Sequence, residues 1–348
     1  MSGSRPTLHL AARVGDHQVV KILCEAGASV DCALGGGGTP LHTAAVEGHI
    51  EAARALISAG AGVNTADSHG STSLLHAVSS AQVEIVKLLL GAGAEVDAED
   101  ERGNWPLLFA VMNPDNEQGE MVTTLLAAGA CVSKVDSKHD GCAPLHFAAM
   151  TGNVAHVTAL CEKGADVNVL EVHGQTPVFT AMIKNHEKVV RTLIEAGADI
   201  TKPRSTDGCT LLHGAALLGH LASLRVLISA GAELNTEEHD GRTPLYLATK
   251  AGHIKVIQAL RNAGACVNKS DNHSTTPAQY SQQREATTSM RTENVMEEEG
   301  KIKKCGHCGM TKNEGAKLKH CTGCHKALFC NQMCQKAGWK DHKVWCQK

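Results

Sequence analysis

Eight glycines set the plan of this chain. Gly27, Gly60, Gly93, Gly129, Gly164, Gly197, Gly231 and Gly264 follow one another at intervals of 33, 33, 36, 35, 33, 34 and 33 residues, each closing a similar stretch. A period held that long means one structural unit repeated. A unit of this size has room for two short helices and a turn, but it cannot bury both faces of those helices by itself. Each unit needs a neighbour on either side, so the sequence predicts a stack.

The stretch Gly38 to Asn64, GTPLHTAAVEGHIEAARALISAGAGVN, states the unit most plainly. Thr39-Pro40 opens a helix, because the missing N–H of proline has no helical partner in a first turn anyway. Leu41, Ala44 and Ala45 then share one face, and the alanines let a neighbouring helix come close. Gly48 ends this helix. Ile50, Ala53, Leu56 and Ile57 mark the apolar face of a second, antiparallel one, which Gly60 closes at a position suited to a left-handed cap. The polar residues from Asn64 to Gly70 carry the chain outward to the next unit.

The opening Thr39-Pro40-Leu41-His42 returns as Ala143-Pro144-Leu145-His146, Thr176-Pro177-Val178-Phe179 and Thr243-Pro244-Leu245-Tyr246. With this motif and this period the chain resembles the ankyrin-repeat family over about residues 5–280. The resemblance implies a mostly α solenoid of about eight helix-pair repeats, with a partial ninth starting at Thr276-Pro277-Ala278. It implies that His9, His42, His146 and His213 tie adjacent turns, and that hairpin tips and inner helices present a concave face to a protein partner. Some positions depart from the pattern. Ser73 stands where proline is expected, Leu75 where histidine is expected and Trp105 where threonine is expected, and Asn113 to Gly119 lengthen one turn by about three residues. The run Gly35 to Gly38 reads as a flexible hairpin tip, since the lysine and the serine or threonine of a phosphate-binding loop are missing.

Composition agrees with helix packing through small residues: 43% of the chain is hydrophobic but only 3% aromatic. No apolar run approaches the roughly 20 residues that cross a bilayer. The opening MSGSRPTLHLAARVGD has no basic-then-apolar leader pattern. The expectation is an intracellular chain, in cytoplasm or nucleus, whose cysteines are thiols or metal ligands. Charge is unevenly placed. Residues 1–299 carry 22 Lys+Arg against 34 Asp+Glu, whereas residues 300–348 carry 11 lysines against 2 acids, so an overall −3 conceals −12 and +9.

The basic end carries the metal chemistry. Its cysteines and one histidine read Cys305-x2-Cys308, Cys321-x2-Cys324, Cys330-x3-Cys334 and His342-x3-Cys346. Four pairs supply enough ligands for two closed tetrahedral zinc sites. So short a segment cannot hold itself together by burial, so metal must provide its folding energy, roughly 10–16 kcal/mol per structural site. Closed coordination leaves no position for substrate, which points to structural zinc. The pattern, with Phe329-Cys330 and Cys334-Gln335-x3-Trp339-x2-His342-x3-Cys346, resembles the MYND-type zinc finger over 305–346, following a polar linker at 281–304. That resemblance implies interleaved sites: Cys305, Cys308, Cys330 and Cys334 on one ion, and Cys321, Cys324, His342 and Cys346 on the other. It also implies a surface for proline-rich peptides of the PxLxP kind, at Thr322, Gln335 and Trp339.

A basic finger also invites a nucleic-acid reading, that of a transcriptional regulator. Seven thiolates and two Zn2+ would lower the charge of the tail to about +6, and the tail has no arginine to read guanine, which weakens that alternative. The tip histidines His69, His139, His173, His239 and His273 stand at least one repeat apart, too far to share an ion. No Walker loop, nucleophile elbow or paired-carboxylate pocket is present. The sequence therefore predicts a non-enzymatic adaptor, with the repeat array holding one protein and the finger a proline-rich peptide.

Overall fold

The computed structural model describes residues 5–113, 119–136, 138, 140–204, 207–280, 282, 319–320 and 328–329. The chain divides into two compact units, Met1–Pro277 and Ala278–Lys348.

The first unit is a row of eight helix pairs: α1 (Arg5–Val14) with α2 (His17–Glu25), α3 (Pro40–Glu47) with α4 (Ile50–Ser58), α5 (Ser73–Ser79) with α6 (Val83–Gly91), α7 (Pro106–Met112) with α8 (Glu120–Ala127), α9 (Pro144–Thr151) with α10 (Val154–Glu162), α11 (Pro177–Ile183) with α12 (Glu187–Glu195), α13 (Leu211–Leu218) with α14 (Leu221–Ser229), and α15 (Pro244–Ala251) with α16 (Ile254–Asn262). Residues 277–280 begin a further helical turn. First helices pack on first helices and second on second along the row, α3 on α5, α13 on α15 and α2 on α4 among them.

Local chemistry accounts for the elements. Proline stands in the first turn of α3, α7, α9, α11 and α15, where its ring is already shaped for the helix. Gly48, Gly152, Gly219 and Gly252 stop α3, α9, α13 and α15 in the left-handed conformation. The eight periodic glycines all have φ between +82° and +100°, so the recurrence seen in the sequence is a backbone requirement.

Leu41, Ala44, Ala45, Ala53 and Leu56 are wholly buried, and a leucine so placed contributes about 1.5–3 kcal/mol over an exposed one. Trp105, in the threonine position, is also completely buried, with the Lys134 ammonium 5.2 Å from its ring centre. Ala52 and Ala55 are covered by the preceding repeat, while their counterparts in α2, Val19 and Ile22, are exposed.

The glycine run is more fixed than expected. Leu34 N–H donates to Gly38 O at 3.1 Å, and Ser68 N–H donates to Gly36 O at 3.1 Å. A side chain on Gly37 would stand 2.6 Å from the Ser68 nitrogen, so glycine is there for close backbone approach. Residues 114–118 of the lengthened turn lie outside the described residues.

In the second unit, β1 (Lys319–His320) pairs antiparallel with β2 (Leu328–Phe329), Lys319 opposite Phe329 and His320 opposite Leu328. No helix among the described residues is long and apolar enough to cross a membrane.

Candidate functional site

Three kinds of hydrogen bond join neighbouring repeats and hold the surfaces on which a partner could rest. The first comes from the motif histidine. His42 Nδ1 accepts from Thr39 N–H at 3.1 Å, which leaves Nε2 to donate to Ser71 O, also at 3.1 Å. His146 reaches Gln175 O at 3.0 Å and His213 reaches Arg242 O at 3.0 Å in the same way. Each imidazole is used as the neutral tautomer, one nitrogen accepting and the other donating. Burial is the chief reason that the pKa of His42, His146 and His213 is held below the ordinary histidine value, with the carbonyl acceptors opposing it.

The second tie comes from the histidine that opens several of the second helices. His49 donates to Arg13 O at 2.9 Å, His186 to Met150 O at 3.0 Å and His253 to Leu217 O at 3.0 Å. The third runs through the hairpins: Asn64 Oδ1 accepts from Glu95 N–H at 2.9 Å, and Asn235 Oδ1 from Cys266 N–H at 2.7 Å. At the tips, Glu101 N–H donates to His69 O at 2.9 Å and Val172 N–H to Asp140 O at 2.8 Å. Asparagine on the hairpin is thus a splice between repeats.

Four repeats depart from this plan. Leu75, Leu108, Phe179 and Tyr246 stand at the motif position that is histidine in the others, and the leucine side chains cannot donate. Where Leu75 meets the next hairpin a groove of about 220 Å³ opens, lined among others by His69, His76, Ser79, Arg102 and Phe109. His76 forms a 2.9 Å bond with Asp67 and stacks edge-on against His42, ring centres 5.4 Å apart. Burial opposes ionisation of Asp67, yet bonds from His76 and from the His69 and Ser71 N–H groups outweigh it and pull its carboxyl below the usual range. The missing histidine at Leu75 was readable in the sequence. The His76–Asp67 pair was not, because nothing in the repeat pattern connects those positions.

Beyond the groove the first helices leave one column of side chains uncovered. It lies seven residues after each N-cap and reads Val46, Ser79, Met112, Met150, Ile183, Leu217 and Lys250, all exposed. Five of the seven are apolar.

Among the described residues no cluster of three or more His, Cys, Asp or Glu could hold a metal; of the tip histidines, His139 lies outside the described residues, and His173 lies 4.0 Å from Asp140. The eight zinc-ligand positions, Cys305, Cys308, Cys321, Cys324, Cys330, Cys334, His342 and Cys346, lie outside the described residues, as do Thr322, Gln335 and Trp339.

Comparison with known proteins decides the family. The ankyrin-repeat family model matches three times, over residues 8–100, 107–204 and 201–271, and the MYND finger model matches residues 305–346. The chain belongs to the ankyrin-repeat family. The solved ankyrin repeat domain of Bcl-3 aligns with a TM-score of 0.56 at 25% identity, covering 61% of this chain and 94% of that one. Ankyrin repeats and MYND fingers are protein-interaction modules, and a MYND finger implies zinc binding.

Curated relatives correct one expectation. The E3 ubiquitin-protein ligase XBAT33 of Arabidopsis thaliana is 36% identical over 105 residues, 30% of this chain and 20% of that protein. The probable E3 ubiquitin-protein ligase XBOS33 of Oryza sativa subsp. japonica is 42% identical over 86 residues, 25% and 16% of the two chains. The chain therefore spans about a fifth or less of these relatives' length, within the ankyrin region. The expectation of a non-enzymatic protein does not stand against relatives that are themselves ligases. Its weakness was physical: ankyrin repeats carry no catalytic groups of their own, so a lack of catalytic motifs says nothing about the enzymes such an array serves.

Proposed function

We propose that this ankyrin-repeat chain is an interaction adaptor. Its array, about residues 5–280, holds one protein partner, and its finger, 305–346, captures a proline-rich segment of the PxLxP kind. The observation that carries the reading is the pairing of two interaction modules in one chain, one of which leaves a column of apolar side chains uncovered along its first helices. Joining them through 281–304 makes the second contact intramolecular once the first is made, which raises its effective concentration. In the finger, Cys305, Cys308, Cys330 and Cys334 would hold one zinc, and Cys321, Cys324, His342 and Cys346 a second. Thr322, Gln335 and Trp339 would form the peptide surface, with the indole as a platform for proline. The reading places the chain in the cytoplasm or nucleus.

Calorimetry on the full zinc-loaded chain against a PxLxP peptide tests the finger. Saturable binding that Trp339→Ala removes is the expected result. Salt-steep binding of a random DNA duplex with no peptide signal would replace this half with a nucleic-acid role.

The names of the relatives favour a second reading, in which the protein held by the array is destined for ubiquitin transfer. Incubating the chain with ubiquitin, activating and conjugating enzymes and ATP tests it. Conjugates no more abundant than in a chain-free control would remove ligase activity from the proposal.

A further inference from the structure

The uncovered column has a spacing, and the spacing selects a ligand. Met112, Met150, Ile183 and Leu217 come from four consecutive repeats and are 45%, 36%, 36% and 46% exposed, far more than the core positions of the same helices. Successive first helices pack side by side, so neighbouring members of the column stand about one helix-packing distance, 8–10 Å, apart. A left-handed polyproline helix rises about 3.1 Å per residue with three residues per turn, so every third side chain returns to one face at about 9.3 Å. An α-helix fits less well. Side chains seven apart recur at about 10.5 Å, but drift by about 20° at each step and leave the stripe within four repeats.

Charge narrows the partner further. Residues 1–299 carry a net −12, and on the tips beside the column Arg204 and Arg242 are already paired with Asp207 and Asp240. Asp140 and Glu171 add negative charge there. At the repeat-three end the column changes to Ser79 beside the 220 Å³ groove, whose lining includes Leu75 and Phe109 and has room for one large side chain.

We propose that the first-helix column from Ser79 to Leu217 binds a basic, proline-containing linear segment of another protein, with an apolar side chain at every third position and one anchoring side chain in the groove between repeats three and four. This rests on the reading that the array holds a protein partner, and it names that partner's conformation and register. It differs from the PxLxP surface of the finger, in which the spacing is two.

The test is fluorescence anisotropy of a labelled (Leu-Pro-Lys)4 peptide titrated with the full zinc-loaded chain. Saturable binding is expected, weaker by about tenfold for a peptide of the same residues reordered so that the leucines are two apart, and by a similar factor for Met150→Gln or Ile183→Gln. Both substituted side chains are exposed, so folding is kept, and Trp339→Ala should leave this binding unchanged. Equal binding of the reordered peptide, indifference to Met150→Gln and Ile183→Gln, or tighter binding of a helical peptide with leucine at every seventh position would each overturn the proposal. Failure here with PxLxP binding intact sinks the register and spares the adaptor reading; failure of both removes the reading itself.

Discussion

The His186 imidazole lies over Gly152 and donates from Nε2 to the carbonyl of Met150 at 3.0 Å, so one ring both caps α9 and seals the joint with the repeat that follows. A methyl group on Gly152 would stand 2.6 Å from that ring, at a φ of +80°. Gly164 has a φ of +83° but nothing within 4 Å of such a methyl. Gly164→Ala should therefore cost about 1–2 kcal/mol, from backbone strain alone. Gly152→Ala should cost about 1 kcal/mol more, because the ring is displaced and its bond lost. Urea midpoints read the difference, and in a His186→Ala background the two glycine variants should cost the same.

Stability should fall with acid before the carboxylates titrate. His42, His146 and His213 have folded-state pKa values lowered from 6.5, chiefly by burial, and each needs a bare Nδ1 to accept a backbone N–H. A depressed histidine contributes stability above its unfolded value, and that contribution is lost as pH falls below about 6.5 because the unfolded chain takes up the proton first. Urea midpoints from pH 7.5 down to 5.5 should fall for the intact chain. His213→Gln should lower the midpoint at pH 7.5 and make the decline shallower; an unchanged decline would mean that these imidazoles are not the titrating groups.

Ser73 is a place where the repeat pattern can be improved. It occupies the first turn of α5, where α3 and α7 have proline, and its buried hydroxyl finds no hydrogen-bond partner. Ser73→Pro removes that orphan and stiffens the unfolded chain, and should stabilise by about 0.5–1 kcal/mol. Differential scanning fluorimetry would show the rise; a drop would mean that the ring clashes with the neighbouring turn.

Cysteines of the array should differ in reactivity. The exposed Cys131 thiol is pulled below its usual pKa, first by Ser133, whereas burial pushes Cys142 to about 11 and Cys209 to about 12. Peptide mapping after brief iodoacetamide treatment at pH 7.5 should find Cys131 modified well before Cys142 and Cys209.

Zinc removal gives the last expectation. If the eight finger ligands act as proposed, native mass spectrometry should count two ions per chain, and Cys330→Ser should lose at least one. Chelation should leave the helical signal of the array nearly unchanged, because none of its named ties involves the finger.

How much of this was legible depends on what each residue does. Thr39-Pro40 and the glycines act within their own turn, so their meaning survives in the sequence. His42 is legible through its place in a known motif. Met150 and Ile183 are different: each looks like an ordinary apolar helix residue, and only the stacking of real helices decides that they stay uncovered while Leu145 and Val178 go inside. The His76–Asp67 pair needs a distance, which no pattern supplies. For the finger, the spacing of its cysteines and the match over 305–346 speak for the family, while ligand pairing stays a proposal.

The ties between repeats also carry a timetable. His42 reaches 29 residues ahead to Ser71, Asn64 reaches 31 ahead to Glu95, and His220 reaches back 38 to Met182. Each partner lies within about one period. As the chain leaves the ribosome, every repeat can be completed once its successor has emerged, without waiting for the far end. Synthesis and assembly can then advance at the same pace, so that little unsatisfied apolar surface is exposed at any moment.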